Sequence, residues 1–372
     1  MRRRSYLDHA ASSPTLPEAV AAMTRTLGVP GNPSSLHTAG RNARRLLEEA
    51  RESLAADLGA ASGEVVFTSG GTEANNLALL GAVNAGRPQV ARSAIEHPSV
   101  AAAGGRLEVL ALPVRPTGHL DVEAAAALVG PRTALVSVMW VNNETGAVQP
   151  IPDVVSLAHA VGALSHSDAV QAFGHLPLHF GQSGLDLLSV SAHKLGGPVG
   201  IGVLVVRRGV LLAPPGFGGG QEARLRSGTV PVALAVGFAA ASRVVIERRA
   251  QEAVRLAELR DRLISGAQAT LADVVTNTVE PCGPAIVNLT FAGTRADDVL
   301  LLLDAAGVDA STGSACTAGV HQPSEVLLAM GRTEAAAASS LRFSFGPDTT
   351  TQAIDRLLAV LPGIVGQARK AH

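Results

Sequence analysis

The sequence predicts an α/β fold, with a large, mainly parallel β-sheet domain followed by a smaller α+β domain. Short apolar runs alternate with helical patterns over most of the chain, and this alternation is typical of βαβ units. The pattern changes after about residue 270. The 372 residues, 47% of them hydrophobic, are enough for two domains. We place the boundary between residues 255 and 256, and we expect residues 1–20 to pack with the smaller domain.

The predicted elements follow from apolar spacing. Apolar side chains recur at helical spacing over His37–Leu58, and another helix begins at Thr72. From Pro231 an Ala-rich helix runs to Arg248, and a further helix ends near Ala269. The strand-like runs of the larger domain are Glu64–Thr68, Gln89–Ala94, Leu107–Leu112, Ala134–Met139, Ala163–His166, Leu185–Ser191 and Gly202–Val206. The segments assigned to the smaller domain are Ala285–Phe291, Asp297–Asp304, Leu341–Phe345 and Gln352–Leu361.

Charge and composition exclude several classes of protein. The formal net charge is −1, which gives no basic footprint for direct nucleic-acid binding. The longest apolar stretches, such as Val230–Ser242, are shorter than the roughly 20 residues that span a bilayer. Two cysteines cannot build a disulfide framework, and the residues after Met1 supply no apolar core of a secretory signal. We therefore expect a cytoplasmic globular protein.

Lysine is scarce in this sequence. Lys194 and Lys370 are the only lysines, so 28 of the 30 basic residues are arginines. Arginine stays protonated, whereas a lysine amine can lose its proton and form an imine with a carbonyl. Lys370 lies two residues from the end of the sequence, where a solvated charge is ordinary. Lys194 follows an apolar run and is the candidate for chemistry.

A glycine turn precedes the helix that begins at Thr72. The run from Thr68 to Asn76 follows a strand and opens a helix, where backbone N–H groups and the helix dipole favour a phosphate. The same pattern is also typical of a tight strand-to-helix turn with a threonine cap, and it lacks the spacing of dinucleotide and P-loop motifs. His175 and His179 are separated by Pro177 and have no acidic or thiol neighbour, so we assign no metal.

The order of the polar motifs carries a resemblance to a known family. In sequence they are Tyr6–Ala11, Thr72 in its glycine turn, Glu96-His97, Asn142–Glu144, Asp168 and Gln171, Ser191-x-His193-Lys194, Arg224–Thr229, Gly313–Thr317 and Leu341–Gly346. The set resembles the pyridoxal-phosphate enzymes of the class V aminotransferase group. Within that group it is similar to cysteine desulfurases of the iron–sulfur assembly type. The resemblance runs nearly end to end and implies fold type I of the pyridoxal 5′-phosphate enzymes.

The resemblance implies how this cofactor would be held. Lys194 would bind it as an imine and later move protons at the substrate. Asp168 would pair with the pyridine nitrogen, while His97 would stack on the ring and shuttle protons. Taken alone, His97 is better interpreted as a half-buried histidine before a proline, and the alternative for Asp168 is an exposed cap. The remaining cofactor contacts would be Gly71, Thr72, Asn143, Gln171, Ser191 and His193, with Thr229 reaching in from a second subunit of a homodimer.

The substrate and sulfur chemistry are also implied by the resemblance. Arg342 would bind the α-carboxylate of L-cysteine through two parallel hydrogen bonds, and Asn143 would contact it too. Cys316, surrounded by small residues from Thr312 to Gly319, would attack the substrate sulfur and become a persulfide while alanine is released. Cys282 fits a buried, inert thiol.

Three functions remain open from the sequence. The first is a homodimeric cysteine desulfurase whose persulfide passes to an acceptor protein in iron–sulfur assembly, tRNA thiolation or DNA phosphorothioation. The second is a selenocysteine lyase or class V aminotransferase, which would not need Cys316. The third is a non-catalytic sulfur-relay or scaffold subunit. Retention of Lys194, Asp168 and Cys316 favours the first function over the third.

Overall fold

The structure is a computed structural model that describes residues 4–271, 273–313 and 322–371. The strands in it are β1 (Ser5–Tyr6), β2 (Val65–Thr68), β3 (Gln89–Ser93), β4 (Glu108–Leu112), β5 (Thr133–Ser137), β6 (Leu164–Asp168), β7 (Leu187–Ser191), β8 (Gly202–Val206), β9 (Val274–Thr276), β10 (Ile286–Phe291), β11 (Val308–Asp309) and β12 (Ser340–Ser344). The α-helices are α1 (Pro17–Leu27), α2 (Thr38–Leu58), α3 (Gly71–Ala82), α4 (Pro98–Ala101), α5 (Val122–Ala126), α6 (Ile151–Ala160), α7 (Phe180–Ser183), α8 (Val232–Thr270), α9 (Ala296–Ala305), α10 (Glu325–Ala329), α11 (Glu334–Ala338) and α12 (Thr351–Arg369). Short 3₁₀ turns cover Ser62–Glu64, Ala102–Gly105 and Ala192–Lys194.

A seven-stranded sheet forms the larger layer, in the order β2-β8-β7-β6-β5-β3-β4. Its neighbours pair in parallel except for β8, which runs antiparallel to both β2 and β7. Alternate side chains of one strand enter different hydrophobic clusters: Phe67 packs with α2 and α8, whereas Val66 packs with α3. A sheet covered on both faces favours apolar strands, and β2, β5, β7 and β8 are mostly apolar, whereas β6 buries the polar residues Ser165, His166 and Ser167. The predicted mainly parallel α/β sheet is confirmed.

A second hydrophobic cluster surrounds the antiparallel sheet β12-β10-β9. It is built from that sheet together with α9, α12 and the C-terminal half of α8. The N-terminal strand β1 pairs in parallel with β11 of this region, which ties residues 5–6 to residues 308–309. These two clusters support our proposal of a domain division near residue 255.

The prediction of two helices between Pro231 and Ala269 was wrong, because α8 is one continuous helix of 39 residues. Its buried residues end at Ser242 and resume at Leu256. The charged stretch between these two residues has no buried side chain, as is typical of a loop between two helices. However, it contains neither glycine nor proline and is rich in Ala, Arg, Glu and Gln, which are good helix formers, so the helix continues. Similarly, α12 continues past Pro362 to Arg369.

Three strands place polar residues at the same end of the large sheet, where the parallel strands have their carboxyl ends; we call this end the sheet edge. Strand β6 ends at Asp168, β7 ends at Ser191, and β2 leads through Gly70 into α3. Polar side chains at the carboxyl ends of strands in an open α/β sheet are the usual location of a binding site. Among the helices described, none is long and apolar enough to cross a membrane.

Candidate active site

A cavity of about 360 Å³ opens at this edge of the sheet. It gathers most of the residues that the sequence analysis selected, drawn from positions far apart in the chain. Those lining it are Gly71, Thr72, His97, Asn143, Asp168, Gln171, Ser191, His193, Lys194 and Arg342. Residues that sequence reasoning did not assign, namely Ala10, Ala11, Asn75, Glu96, Ser99, Met139 and Glu144, also line it.

One end of the cavity is built to receive an anion. The backbone at Gly70 has φ 155°, a conformation that L side chains rarely adopt, and it opens α3 toward the cavity. Gly71 lets α3 start close to the neighbouring loop, since a Cβ there would lie 2.8 Å from Val170 Cγ2. The helix N-terminus is then flanked by the hydroxyl groups of Thr72 and Ser191. Free N–H groups and hydroxyls at a helix start suit a phosphate.

Lys194 lies half-buried on the short turn after β7. Its Nζ donates hydrogen bonds to the backbone oxygens of Ala10 (2.5 Å) and Ala11 (2.7 Å). Burial, together with the nearby Arg342 guanidinium, lowers the pKa of Lys194 to about 8. A sizeable fraction of this amine is therefore neutral at mildly alkaline pH, which is what nucleophilic lysine chemistry requires.

Asp168 is buried at the end of β6 with both carboxylate oxygens occupied. Oδ1 accepts a hydrogen bond from the Val170 amide (2.9 Å), and Oδ2 accepts one from Asn75 Nδ2 (2.7 Å). The exposed-cap interpretation of Asp168 is wrong, because its side chain faces the cavity from within the sheet edge.

His97 lies half-buried before α4, and its ring acts as the cap of that helix. Nδ1 accepts a hydrogen bond from the Ser99 backbone amide (3.1 Å) and lies 2.8 Å from Ser99 Oγ. Burial lowers the pKa of His97 most, and Lys194 lowers it further against the opposing effect of Asp168. The ring is consequently neutral near pH 7.

His193 and Gln171 complete the wall near the lysine. Burial, then the charge of Lys194, lowers the pKa of His193 to about 4, so its ring is a neutral hydrogen-bonding group. Gln171 Nε2 donates to the same Ala10 oxygen that Lys194 contacts, at 2.9 Å. The segment at residues 10 and 11 therefore closes one side of the cavity.

Arg342 on β12 brings the three-stranded sheet into the site. Its Nη2 forms a 2.7 Å ion pair with Asp8 Oδ1, and Nη1 donates to the Asn143 backbone oxygen at 3.0 Å. Its Nε is buried without a hydrogen-bond partner among the residues described. A guanidinium held in this way at a cavity wall retains hydrogens that suit a carboxylate.

Of the predicted site residues that the structure describes, Thr229 is the one that does not line this cavity. Thr229 is exposed and lines a separate cavity with Asn32 and Arg51. Cys316 lies outside the described residues, although Gly313, just before that segment, lines the site. Cys282 is half-buried, and burial raises its pKa to about 12, so this thiol is unreactive at neutral pH.

The residues of the cavity fit pyridoxal 5′-phosphate. The anion-binding end, Lys194 with its lowered pKa and the buried Asp168 carboxylate are the groups that its phosphate, carbonyl and pyridine nitrogen need. Two buried oxygens at the cavity, Asn75 Oδ1 and Glu96 Oε2, have no partner among the described residues. Buried polar groups without partners are rare in native proteins, and they are typical of functional sites, where a ligand supplies the missing hydrogen bond.

Comparisons with known proteins agree with this geometry. The family model described as "Aminotransferase class-V" matches residues 5–357, and the chain belongs to that family. Within the family it is 45% identical to an "IscS-like cysteine desulfurase" of Mycobacterium tuberculosis, over 99% of this chain and 98% of that protein. It is 42% identical to a "Cysteine desulfurase" of Gluconacetobacter diazotrophicus, over 98% and 94%. A solved "NifS-like protein" from Rickettsia africae superposes with a TM-score of 0.90 at 30% identity, over 98% of this chain and 100% of that one.

Proposed function

We propose that this chain is a pyridoxal-phosphate-dependent cysteine desulfurase, which converts L-cysteine to L-alanine and transfers the sulfur to Cys316. The observation that carries the proposal is the single cavity that brings Lys194, Asp168 and Arg342 together from three distant parts of the chain. The full-length similarity to cysteine desulfurases supports the same activity.

The cofactor would be held at both of its ends. Thr72, Ser191 and His193 would bind the phosphate beside the start of α3, and Lys194 would bind the carbonyl end. Asp168 would pair with the pyridine nitrogen, with Gln171 and Asn143 at the ring oxygen. When bound, the cofactor supplies an electron sink for the charge that develops on the substrate carbons.

The side chains of the cavity have separate tasks. Arg342 would orient L-cysteine by its α-carboxylate, which is the charge complement of the guanidinium. Lys194, with its lowered pKa, can accept and return a proton at the substrate carbons near neutral pH. His97 has a neutral ring near pH 7, so it can relay protons beside the substrate by giving up its N–H proton and taking one back.

The sulfur step balances without an external oxidant. The Cys316 thiolate attacks the sulfur of L-cysteine, and the carbon–sulfur bond breaks with its electron pair moving to carbon. A proton added at that carbon completes L-alanine, and the sulfur stays on Cys316 as a persulfide. The persulfide then passes to an acceptor protein in iron–sulfur assembly or in a related sulfur-modification pathway such as tRNA thiolation or DNA phosphorothioation.

We further propose that the enzyme is a cytoplasmic homodimer. Thr229 is exposed and lines a cavity other than the active-site cavity of its own chain, as expected of a residue that completes the site of a second subunit. The net charge of −1 offers no support for direct nucleic-acid binding, so the acceptor would be recognised through protein contacts.

The decisive experiment measures alanine released from L-cysteine under a reductant, for the wild type and for Cys316→Ala. We expect alanine from the wild type and almost none from the variant, with the cofactor absorbance band present in both. Cys282→Ala is the matched control and should retain activity. Equal alanine from wild type and Cys316→Ala would instead indicate a selenocysteine lyase or aminotransferase, and a wild type without a cofactor band would indicate a non-catalytic subunit.

A further inference from the structure

Asn75 occupies a position that the proposed chemistry has not used. It lies on the first turns of α3, is 1% exposed, and lines the active-site cavity. Its Nδ2 carries two hydrogens, and the structure gives each an acceptor. One hydrogen bond, of 2.7 Å, goes to Asp168 Oδ2, and the other, of 2.8 Å, goes to Ser99 Oγ.

The hydroxyl of Ser99 extends this connection to His97. Because Nδ1 of His97 accepts the Ser99 backbone N–H, that nitrogen carries no proton in the neutral ring. Ser99 Oγ, 2.8 Å away, must therefore donate its hydrogen to Nδ1. Ser99 Oγ accepts a hydrogen bond from Asn75, which leaves the hydroxyl hydrogen to point toward Nδ1. The four side chains form one connected series, in which Asn75 donates to Asp168 on one side and to Ser99 on the other, and Ser99 donates to His97.

The carbonyl oxygen of Asn75 gains nothing from this arrangement, in which only the amide nitrogen forms hydrogen bonds. Oδ1 is buried and has no hydrogen-bond partner among the described residues. Reversing the amide would place Oδ1 against the acceptor oxygens of Asp168, so the observed orientation is the one that both neighbours require. A buried carbonyl left unpaired is destabilising, because its hydration is lost and no protein donor replaces it. Such a cost is typical of functional sites rather than of packing.

We propose that Asn75 is a positioning residue that couples Asp168 to His97 through Ser99. Its two hydrogen bonds hold the Asp168 carboxylate in place and favour the His97 tautomer with its proton on Nε2. The neutral His97 ring would then carry its proton on Nε2. A change in the hydrogen bonding of Asp168 would alter that of His97, and the reverse. The catalytic meaning of this coupling depends on the proposed desulfurase function, whereas the coupling itself does not.

The test reads the His97 tautomer directly. The full-length protein, loaded with pyridoxal phosphate and labelled with ¹⁵N-histidine, is compared with Asn75→Ala, Ser99→Ala and the double variant, and His97→Gln identifies the signal. We expect one tautomer in the wild type, with Nδ1 unprotonated. In Asn75→Ala the Ser99 hydroxyl can turn to accept from Nδ1–H, and only the longer contact with the Ser99 backbone N–H still favours an unprotonated Nδ1, so we expect a mixture of the two tautomers.

The double variant distinguishes coupling from a general structural effect. If Asn75 acts through Ser99, removing Asn75 changes nothing further at His97 once Ser99 is alanine. Asn76→Ala is the matched control, because Asn76 is the next residue on the same helix, is exposed, and donates to the Thr72 backbone oxygen. It should leave the His97 signal unchanged. Asn75→Leu, which keeps the side-chain volume, replaces Asn75→Ala if that variant does not fold.

Kinetics provide a second readout. Loss of one positioning hydrogen bond should lower kcat about three- to tenfold with little change in KM for L-cysteine, because Asn75 does not bind the carboxylate. An unchanged tautomer in both Asn75 variants, or a proton on Nδ1 in the wild type, would overturn the inference even if alanine is produced. Conversely, a tautomer that depends on Asn75 in a protein that releases no alanine would refute the proposed function and leave the coupling intact.

Discussion

Ser324 Oγ donates a hydrogen bond of 2.5 Å to Glu144 Oε2, joining two residues that are 180 positions apart. Both are buried, and Ser324 also caps helix α10 by accepting from the Leu327 amide. Glu144 lies against Gly313 as well, where a Cβ would be 3.1 Å from Oε2. One carboxyl group of the larger domain therefore contacts the chain on both sides of residues 314–321.

Ser324→Ala should destabilise the protein by more than the loss of a helix cap. The variant removes the cap, worth about 1 kcal/mol, and leaves the buried Glu144 oxygen without its donor, which costs about 1–3 kcal/mol more. Urea unfolding measures the difference. Thr333→Ala is the matched control, because Thr333 caps the neighbouring helix α11 by accepting from Ala336, and the described residues give it no carboxyl partner. Equal losses for the two variants would contradict the assigned role of Glu144.

Glu96 makes stability depend on pH. Burial raises the pKa of Glu96 from 4.5 to about 8, so the folded protein holds a proton that the unfolded chain releases between those values. Stability should therefore fall as pH rises through this window, by up to about 1.4 kcal/mol per pH unit from this group. In Glu96→Gln that contribution disappears. Denaturation midpoints from pH 5 to 8.5 should diverge between the two proteins, and parallel curves would refute the assignment.

The reactivity of Lys194 should follow its lowered pKa. Mixing the cofactor-free protein with pyridoxal phosphate should give a rate of covalent binding that rises with pH around a midpoint near 8. Arg342 contributes to that lowering by charge repulsion, so Arg342→Gln should move the midpoint to higher pH. Stopped-flow absorbance at a series of pH values measures both. Arg262→Gln, a change to an exposed arginine paired with Asp355, should leave the midpoint in place.

Subunit mixing tests whether Thr229 acts in the partner's site. Lys194→Ala and Thr229→Ala each damage a different half of a shared site, so neither homodimer should be fully active. In a mixed dimer one site carries both changes and the other carries neither. Re-equilibrated equal mixtures should therefore recover about a quarter of the wild-type sites. Activity no greater than the mean of the two separate variants would place Thr229 outside the partner's site.

The sequence could locate most of the cavity because its residues sit where strands end. Asp168 and Ser191 close predicted parallel strands, and parallel strands bring their carboxyl ends to one edge, so their meeting follows from the pattern. Lys194 was identifiable from the rarity of lysine. The link from Asn75 to Asp168 was not predictable, because it depends on how far α3 rotates over the sheet. The continuity of α8 was not predictable from apolar spacing either, because the stretch between Ser242 and Leu256 has no buried residues that repeat at helical spacing. It depended on helix propensity alone.

Helix α8 carries both hydrophobic clusters on one rigid rod, about 58 Å long at 1.5 Å per residue. A flexible linker would let each half of the molecule melt by itself. Here the release of either half exposes the helical surface that the other half packs on and removes the tertiary contacts that keep so long a helix intact. The two domains are therefore expected to share a single cooperative unfolding transition, with one calorimetric peak, although each has a core of its own.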